Sequence, residues 1–396
     1  MNVIAVKAKK CAAPYRQLLE QHGSPLLVLD CDVVRRQYRC FKSALPGVGV
    51  YFAIKSLPER AVLATLAGEG AGFDVATSGE LELLRGIGAN PAHAIHTHPI
   101  KREQDILDAL EFGCDTFVVD NIDELQKFER FGDQAELLLR VSFRARGAAC
   151  DLSRKFGCDV RDVPFLLNEA ARLGIVIKGL SFHVGSQSPD SAAHVEAIRA
   201  CKAYFNGPTL LGAADLRILD IGGGFPTDYA RQGADFDAFC APIREALAEL
   251  PVHVQVIAEP GRFLSAPCIT SINTVIGRAA RAGVNWYYLD DGVYGAYSGQ
   301  IYDHAHYPLT VFADGAGACP AVLAGPTCDS IDVICEGIDL PRLSIGDIVV
   351  GELMGAYTLA SASEFNSIPK PKLLAVNTVE ATGASVSPLF AEAVTL

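Results

Sequence analysis

The sequence predicts an α/β protein: a (β/α)8 TIM barrel followed by a mostly antiparallel β domain. Three observations carry this. Between residues 48 and 258, eight short apolar runs alternate with segments of helical periodicity. Such alternation implies parallel strands joined by right-handed crossovers. All eight runs end on polar or glycine residues: Lys55, Asp74, His98, Asp120, Arg140, His183, Gly222 to Gly224, and Glu259. In a closed barrel those ends share one mouth, where the chemistry of such folds sits. After Pro260 the helical segments stop, and strand-like runs separated by turns take over. A doubly wound open sheet competes with the barrel; the count of eight and the polar tips favour the barrel.

Residues 25–30 are a short apolar strand, and 32–44 carries Val33, Val34, Tyr38 and Phe41 at helical spacing. The barrel beat opens at 48–55, where the apolar run Tyr51-Phe-Ala-Ile-Lys55 ends in a lysine and is broken by Ser56-Leu57-Pro58. Pro58 turns the residue before it away from helical geometry. Helices are expected at 61–68, 79–87, 102–112, 122–131, 163–173, 191–205 and 236–250. Between them lie strands at 72–76, 94–98, 116–120, 137–141, 180–184, 218–221 and 254–258, each short and apolar. Residues 144–155 form a polar loop. Further strands are expected at 269–275, 286–289, 331–335, 347–350 and 372–376. The barrel is therefore assigned to 31–265. The β domain takes 266–396 together with 1–30, which stands outside the beat.

With 396 residues, half of them hydrophobic, the chain is long enough for two or three domains and too apolar for disorder. A net charge of −12 argues against nucleic-acid binding and suits a cationic small substrate. The first ten residues lack a long apolar core, so no signal peptide is expected. No apolar run is long enough for a membrane span. The twelve cysteines include no CxxC pair. A zinc cluster is not expected, and reduced thiols in a cytosolic protein are. Most of these cysteines are read as small buried hydrophobes.

A lysine at a strand tip is costly to bury unless it is paired or used chemically. Its pKa falls readily on burial, which suits a Schiff-base former. Alone, Lys55 reads as a strand-end lysine reaching into solvent. The loops after strands seven and eight change that reading. Asp220-Ile-Gly-Gly-Gly-Phe225 offers backbone amides to an anion, and Glu259-Pro-Gly-Arg262 adds a glycine, Gly261, and a cation. These are the loops where barrels commonly bind phosphate. His183, at the sixth tip, is followed by Gly185-Ser186. A lone histidine there reads as a satisfied core residue; beside the amide and hydroxyl of Gly185 and Ser186 it reads as part of the mouth. Glu259 is either a structural carboxylate on Arg262 or the partner of a ring nitrogen. A phosphate site, a tip lysine, a flat imidazole and a buried carboxylate together are what pyridoxal phosphate requires.

The residues then resemble a known family. The segments are Tyr51-Phe-Ala-Ile-Lys55, Gly72-Phe-Asp-Val-Ala-Thr-Ser-Gly-Glu80, Phe182-His-Val-Gly-Ser-Gln187, Asp220-Ile-Gly-Gly-Gly-Phe-Pro226 and Ala258-Glu-Pro-Gly-Arg262. Asp291-Gly-Val-Tyr-Gly295, Tyr302-Asp-His-Ala-His306, Gly325-Pro-Thr-Cys-Asp329 and Met354-Gly-Ala-Tyr357 continue the series to Phe365. Together they resemble the fold-type III pyridoxal-phosphate decarboxylases, in the ornithine decarboxylase branch. The resemblance implies an alanine-racemase-like barrel with a β domain, working as a head-to-tail homodimer with shared active sites. It implies that Lys55 carries the cofactor, that His183 stacks on its ring, and that Glu259 pairs with the pyridine nitrogen. Ser186, Gly223, Gly224, Gly261, Arg262 and Tyr357 would hold the phosphate. Asp74, Glu80 and Arg140 would support the lysine and ring. From the partner subunit, Cys328 would return a proton after carbon dioxide leaves. Tyr302, Asp303 and Asp329 would bind the distal ammonium of a diamino acid, and Phe365 would close the site.

The chemistry of the last groups agrees. Decarboxylation needs a proton donor, and a thiol can be one. Two carboxylates select a diamino acid, because an analogue lacking the distal ammonium leaves them buried and unpaired. Three departures bear on substrate choice: Ser56-Leu57-Pro58 after the lysine, His96-Thr-His98-Pro99 at the third tip, and Ser330 after Asp329. The expected reaction is conversion of L-ornithine to putrescine and carbon dioxide. Lysine, dual lysine/ornithine or modified-ornithine decarboxylation are the alternatives. An inactive regulatory homologue is disfavoured by retention of Lys55, His183, Glu259 and Cys328.

Overall fold

The structure is a computed structural model that describes residues 6–143, 147, 153–205, 216–315 and 317–378. Cys150, most of the polar loop expected at 144–155 and the last eighteen residues assigned to the β domain lie outside the described residues. The chain forms two compact units. One comprises Arg35–Pro226 and Ala234–Leu264; the other comprises Met1–Val34, Thr227–Gly233 and Ser265–Leu396.

The chain opens with β1 (Val6–Lys9), α1 (Ala13–His22), β2 (Leu26–Asp30) and α2 (Cys31–Ala44). Eight strands follow at regular intervals: β3 (Gly49–Ala53), β4 (Gly72–Val75), β5 (Ala94–His96), β6 (Thr116–Val119), β7 (Glu136–Val141), β8 (Ile177–Phe182), β9 (Ile218–Asp220) and β10 (Gln255–Ala258). The helices between them are α3 (Arg60–Gly68), α4 (Ser78–Gly86), α5 (Glu103–Phe112), α6 (Ile122–Phe128), α7 (Val163–Arg172), α8 (Ala192–Phe205) and α9 (Phe236–Ala248). Several starts are written in side chains. Thr77 caps α4 by accepting from the Glu80 amide at 3.4 Å, and Asn121 caps α6 through the Glu124 amide at 3.0 Å. Asp235 caps α9 by accepting from the Asp237 and Ala238 amides.

The eight strands close into one parallel barrel in the order β10-β3-β4-β5-β6-β7-β8-β9. Ile95, Val118, Leu138 and Ile257 pack together inside it, with Tyr51 and Ile218 against them. The interior is a filled core, so ligands can be met only at its ends.

The first and third barrel strands stop earlier than expected. β3 ends at Ala53, and Lys55 stands instead on a single 3-10 turn, Ile54–Ser56. The Ser56 hydroxyl donates to the Ala53 carbonyl at 2.8 Å and draws the chain round before Pro58 can block it. His98 likewise lies beyond β5, in a loop where its Nδ1 accepts from the Ile100 amide at 3.1 Å.

The second unit continues through α10 (Arg262–Ser265), β11 (Ile269–Arg281), β12 (Val284–Leu289), α11 (Gly299–Tyr302), β13 (Leu309–Phe312), β14 (Cys319–Ala324), β15 (Val333–Leu340), β16 (Ile348–Gly351) and β17 (Lys372–Val376). Its sheet runs β1-β13-β16-β11-β12-β14-β15, with β2 paired to both β11 and β17. Antiparallel pairs predominate; β1–β13, β12–β14 and β2–β17 are parallel. The first strand expected here extends to Arg281 and enters a two-residue hairpin, in which Ala282 and Gly283 both have positive φ. Six elements escape the sequence pattern, two of them, α10 and α11, only four residues long. β14 contains Pro320, which argues against a strand. β13 has four residues, β1 is mostly exposed, and α1 buries only Tyr15. Leu26, Val28, Ile272, Ile348 and Val350 form the core of this unit with Tyr15, Phe312 and Val376.

Candidate active site

At the C-terminal end of the barrel, the 3-10 turn after β3 presents Lys55. Its ammonium donates to Asp74 Oδ2 at the end of β4, where the carboxylate is fully buried and the lysine side chain is 43 % exposed. Thr97 donates its hydroxyl to Asp74 Oδ1, so both carboxylate oxygens are engaged and the group is aimed at the lysine. Glu80 accepts from the Ala76 amide at 2.5 Å, and burial raises its pKa. Behind the lysine, Ser56 is fully buried against Gly261: a Cβ on Gly261 would lie 3.1 Å from that of Ser56. A small residue is needed after the lysine, and Ser56 supplies it with a satisfied hydroxyl.

The glycine run after β9 bends tightly. Gly222 has φ +63° and Gly224 φ +96°, the left-handed region that glycine enters freely. A Cβ on Gly222 would collide with the Phe182 carbonyl oxygen, and one on Gly223 would lie 3.0 Å from His183 Nε2. His194 braces this loop from behind, its Nε2 hydrogen-bonded to the Gly223 carbonyl at 3.1 Å; burial takes its pKa down to about 4, so the ring is neutral and donates. Arg262 donates from Nε and Nη2 to the Ser186 hydroxyl at 3.3 and 3.1 Å. Glycine amides, a hydroxyl and a guanidinium in this relation form a cradle for a dianion.

Glu259 is buried, and its Oε1 has no hydrogen-bond partner. Burial, then repulsion from Asp220 and Asp74, raises its pKa well above the usual carboxylate range. It lies in hydrogen-bond contact with Asp220. Asp220 accepts in addition from Ser181 Oγ and the Gly222 amide, both at 2.9 Å. An orphaned buried carboxyl oxygen is an acceptor suited to the N–H of a protonated heterocycle. His183 is half-buried, and desolvation, then the Arg140 and Lys55 cations, holds its pKa well below 6.5. Its Nδ1 accepts from the Gly185 amide at 3.0 Å, leaving a neutral flat ring with its proton on Nε2. Arg140 lies over the ring of Phe156 at 5.4 Å, and His98 meets the same ring edge-on at 5.5 Å.

The β unit holds a second constellation. Asp332 is buried and accepts from the amides of Val293 and Thr327 and the Thr327 hydroxyl at 2.7 to 2.9 Å. This ties down the loop that carries Cys328 and Asp329. The Tyr294 hydroxyl donates to Asp329 Oδ2; that bond raises the tyrosine pKa to about 12 and lowers that of Asp329. Phe365 stacks on Tyr294 with ring centroids 4.3 Å apart. Cys328 is exposed, and its amide and thiol both donate to Asn366 Oδ1, at 3.1 and 3.2 Å. Asp303 follows α11 directly, beside the 68 % exposed Tyr302. Tyr357 has φ +55° and accepts from the Ser361 hydroxyl through its carbonyl.

The sequence-predicted residues thus fall into two groups. Lys55, Asp74, Glu80, Arg140, His183, Ser186, Gly223, Gly224, Glu259, Gly261 and Arg262 belong to the barrel unit; Tyr302, Asp303, Cys328, Asp329, Tyr357 and Phe365 belong to the β unit. Six further residues take part that sequence reasoning does not single out: Thr97, His194, Asp220, Tyr294, Asp332 and Asn366. Asp220 and Tyr294 lie inside the family-like motifs, so their place is visible in the sequence though their partners are not. Of the other cysteines among the described residues, seven are buried as the core reading expects; Cys11 and Cys40 are exposed and Cys319 is half-buried, and for these three the reading is corrected.

Residues 31–266 match the family described as "Pyridoxal-dependent decarboxylase, pyridoxal binding domain". A lysine/ornithine decarboxylase of Selenomonas ruminantium is 36 % identical over 352 residues, 89 % of this chain and 89 % of that protein. A chloroplastic ornithine decarboxylase of Nicotiana glauca is 34 % identical over 364 residues, 88 % of this chain and 83 % of that one. Among solved structures, the lysine/ornithine decarboxylase of Vibrio vulnificus complexed with cadaverine is 49 % identical, with a TM-score of 0.88 over 93 % of this chain and 100 % of that chain. With the cradle, the unpartnered Glu259 oxygen and the tip lysine all suited to pyridoxal phosphate, the chain belongs to the pyridoxal-dependent decarboxylases, in their ornithine decarboxylase branch.

Proposed function

We propose that the protein decarboxylates L-ornithine to putrescine and accepts L-lysine as a second substrate, in a homodimer with shared active sites. The observation that carries this reading is the barrel mouth. There Lys55 is held by Asp74 beside the glycine–arginine cradle and the unpartnered oxygen of Glu259. Lys55 would bind the cofactor covalently, Glu259 would pair with its ring nitrogen, and the neutral His183 ring would lie against its face. Gly223, Gly224, Gly261, Ser186, Arg262 and Tyr357 would hold its phosphate. Bound pyridoxal phosphate supplies the electron sink for the pair released when carbon dioxide leaves. Asp74 accepts from the Lys55 ammonium, and Glu80 and Arg140 support the same edge. The partner subunit contributes Cys328 as the proton donor to the substrate carbon. Tyr302, Asp303 and Asp329 bind the distal ammonium, and Phe365 covers it. Two relatives named lysine/ornithine decarboxylase favour the second substrate. One methylene separates the two amino acids, a difference of only about 1–3 kcal/mol in binding. Eleven free cysteines among the described residues support a reducing compartment such as the cytosol.

The test is carbon dioxide release from L-ornithine, L-lysine, L-arginine, meso-diaminopimelate and the D-isomers. Turnover is expected with L-ornithine and L-lysine; turnover of diaminopimelate alone would refute the substrate assignment. Lys55→Ala is expected to abolish both carbon dioxide release and the visible absorbance of the lysine-bound cofactor. Mixing Lys55→Ala with Cys328→Ala protein restores part of the activity if sites are shared between copies, and none if each site is built from one chain.

A further inference from the structure

We infer that Asn366 is a positioning residue for the Cys328 thiol: it parks the S–H proton on one fixed acceptor from which it is delivered to a single face of the substrate carbon. The inference rests on the reading that Cys328 returns the proton. Asn366 Oδ1 accepts from the Cys328 amide at 3.1 Å and from its Sγ at 3.2 Å. The backbone bond sets the orientation of the carboxamide, because turning its NH2 group toward the sulfur would break that bond. The second lone pair of the oxygen is thereby left facing the thiol.

The backbone around Asn366 is arranged to hold this geometry. Asn366 has φ +57° and ψ 18°, and Ser367 has φ +56°. A non-glycine residue there pays a steric cost, and asparagine tolerates it better than most. The turn is tied down by the Ser363 amide on the Tyr294 carbonyl at 2.8 Å and the Ser367 amide on the Glu364 carbonyl at 2.9 Å. Two consecutive residues of this turn address two consecutive residues of the donor loop. Phe365 stacks on Tyr294, which donates to Asp329; Asn366 holds Cys328 directly. A loop with no regular structure is thus fixed at both its thiol and its carboxylate.

The step balances without another reactant. The S–H bond breaks and its electron pair stays on sulfur. The new C–H bond uses the pair left on the carbon by departing carbon dioxide. Solvent water then reprotonates the sulfur. Because the S–H starts from one acceptor, its swing to the carbon begins from one rotamer. Without the amide, the thiol samples several rotamers and delivers less often and less selectively.

The experiment uses holoenzyme with L-ornithine in D2O, comparing wild type, Asn366→Gly and Asn366→Asp. Glycine keeps the left-handed backbone and removes the amide; aspartate keeps an acceptor oxygen and tolerates the same φ. Two readouts are taken: the configuration of the monodeuterated diamine, by NMR after chiral derivatisation, and the rate of Cys328 alkylation by iodoacetamide, by peptide mass spectrometry. Wild type and Asn366→Asp are expected to give one enantiomer. Asn366→Gly is expected to give both, with kcat down about tenfold, KM little changed and faster alkylation of Cys328. A single enantiomer from Asn366→Gly, or an unchanged alkylation rate, overturns the inference. Should the wild type release no carbon dioxide from any diamino acid, the proposed function fails on its own, and the alkylation rates still decide whether Asn366 holds the thiol.

Discussion

At Gly223 one methyl group separates a working cradle from a blocked one. A Cβ there would lie 2.9 Å from the Glu259 carbonyl oxygen and 3.0 Å from His183 Nε2, so a backbone group and a stacking ring would both have to move. Gly223→Ala should therefore weaken pyridoxal phosphate binding about tenfold or more, read by titrating apoprotein with the cofactor and following its absorbance, while secondary structure by circular dichroism is kept. Gly222 differs: its positive φ, and the Phe182 oxygen standing where a Cβ would have to go, make alanine there a folding defect as well. Ser56 follows similar logic. It departs from the family pattern, yet its hydroxyl bonds to Ala53 and its small size fits against Gly261. The departure is compatible with the same lysine placement.

At the scale of an element, β3 and the turn after it do the organising. Phe52 is fully buried in the middle of that strand. Phe52→Ala should cost about 3–5 kcal/mol of stability, measured by urea unfolding, and should reduce activity by loosening the turn that carries Lys55. The turn itself explains why a strand-tip lysine is tolerable. Lifted two residues past the strand, it leaves the barrel core, pairs with Asp74 and stays partly open to the mouth. Nothing in the run Tyr51-Phe-Ala-Ile-Lys55 distinguishes a five-residue strand plus a turn from a longer strand. The Ser56 bond to the Ala53 carbonyl makes that distinction. In the β unit, Pro320 hides β14 for an analogous reason: local propensity argues against a strand that its neighbours β12 and β15 impose.

Across the whole molecule, buried carboxyls are one source of the pH response. Burial, the largest effect on Asp291, pushes its pKa up to about 7. In the unfolded chain the same group loses its proton near ~3.9. Between those values the folded state binds more protons than the unfolded one, so this group makes stability fall as pH rises, by up to ~1.4 kcal/mol per pH unit, and the effect levels off above pH 7. Asp220 and Glu259 are raised too and act in the same direction. The neutral histidines His183 and His194 act the other way, so the test is the difference: between pH 5 and 7 the slope of unfolding free energy against pH, from urea titrations, should be more positive in Asp291→Asn than in wild type. A slope unchanged by the substitution would show that Asp291 is ionised in the folded protein.

Periodicity and the polar strand tips of this chain are enough to specify a parallel eight-stranded barrel, because strand length, apolar content and crossover handedness are local properties repeated eight times. The motif residues are legible for a related reason: Lys55, Gly223, Glu259 and Cys328 are chemically unusual in their immediate surroundings. Partnerships between distant residues are not legible. Thr97 on Asp74, Asp220 beside Glu259, Tyr294 on Asp329 and Asn366 on Cys328 join positions 23 to 39 residues apart. No local pattern encodes which hydroxyl or amide will face a given carboxylate or thiol. Only the closed barrel and the tied loops of the β unit bring them within hydrogen-bond reach, and burial there, through the loss of water, sets their protonation.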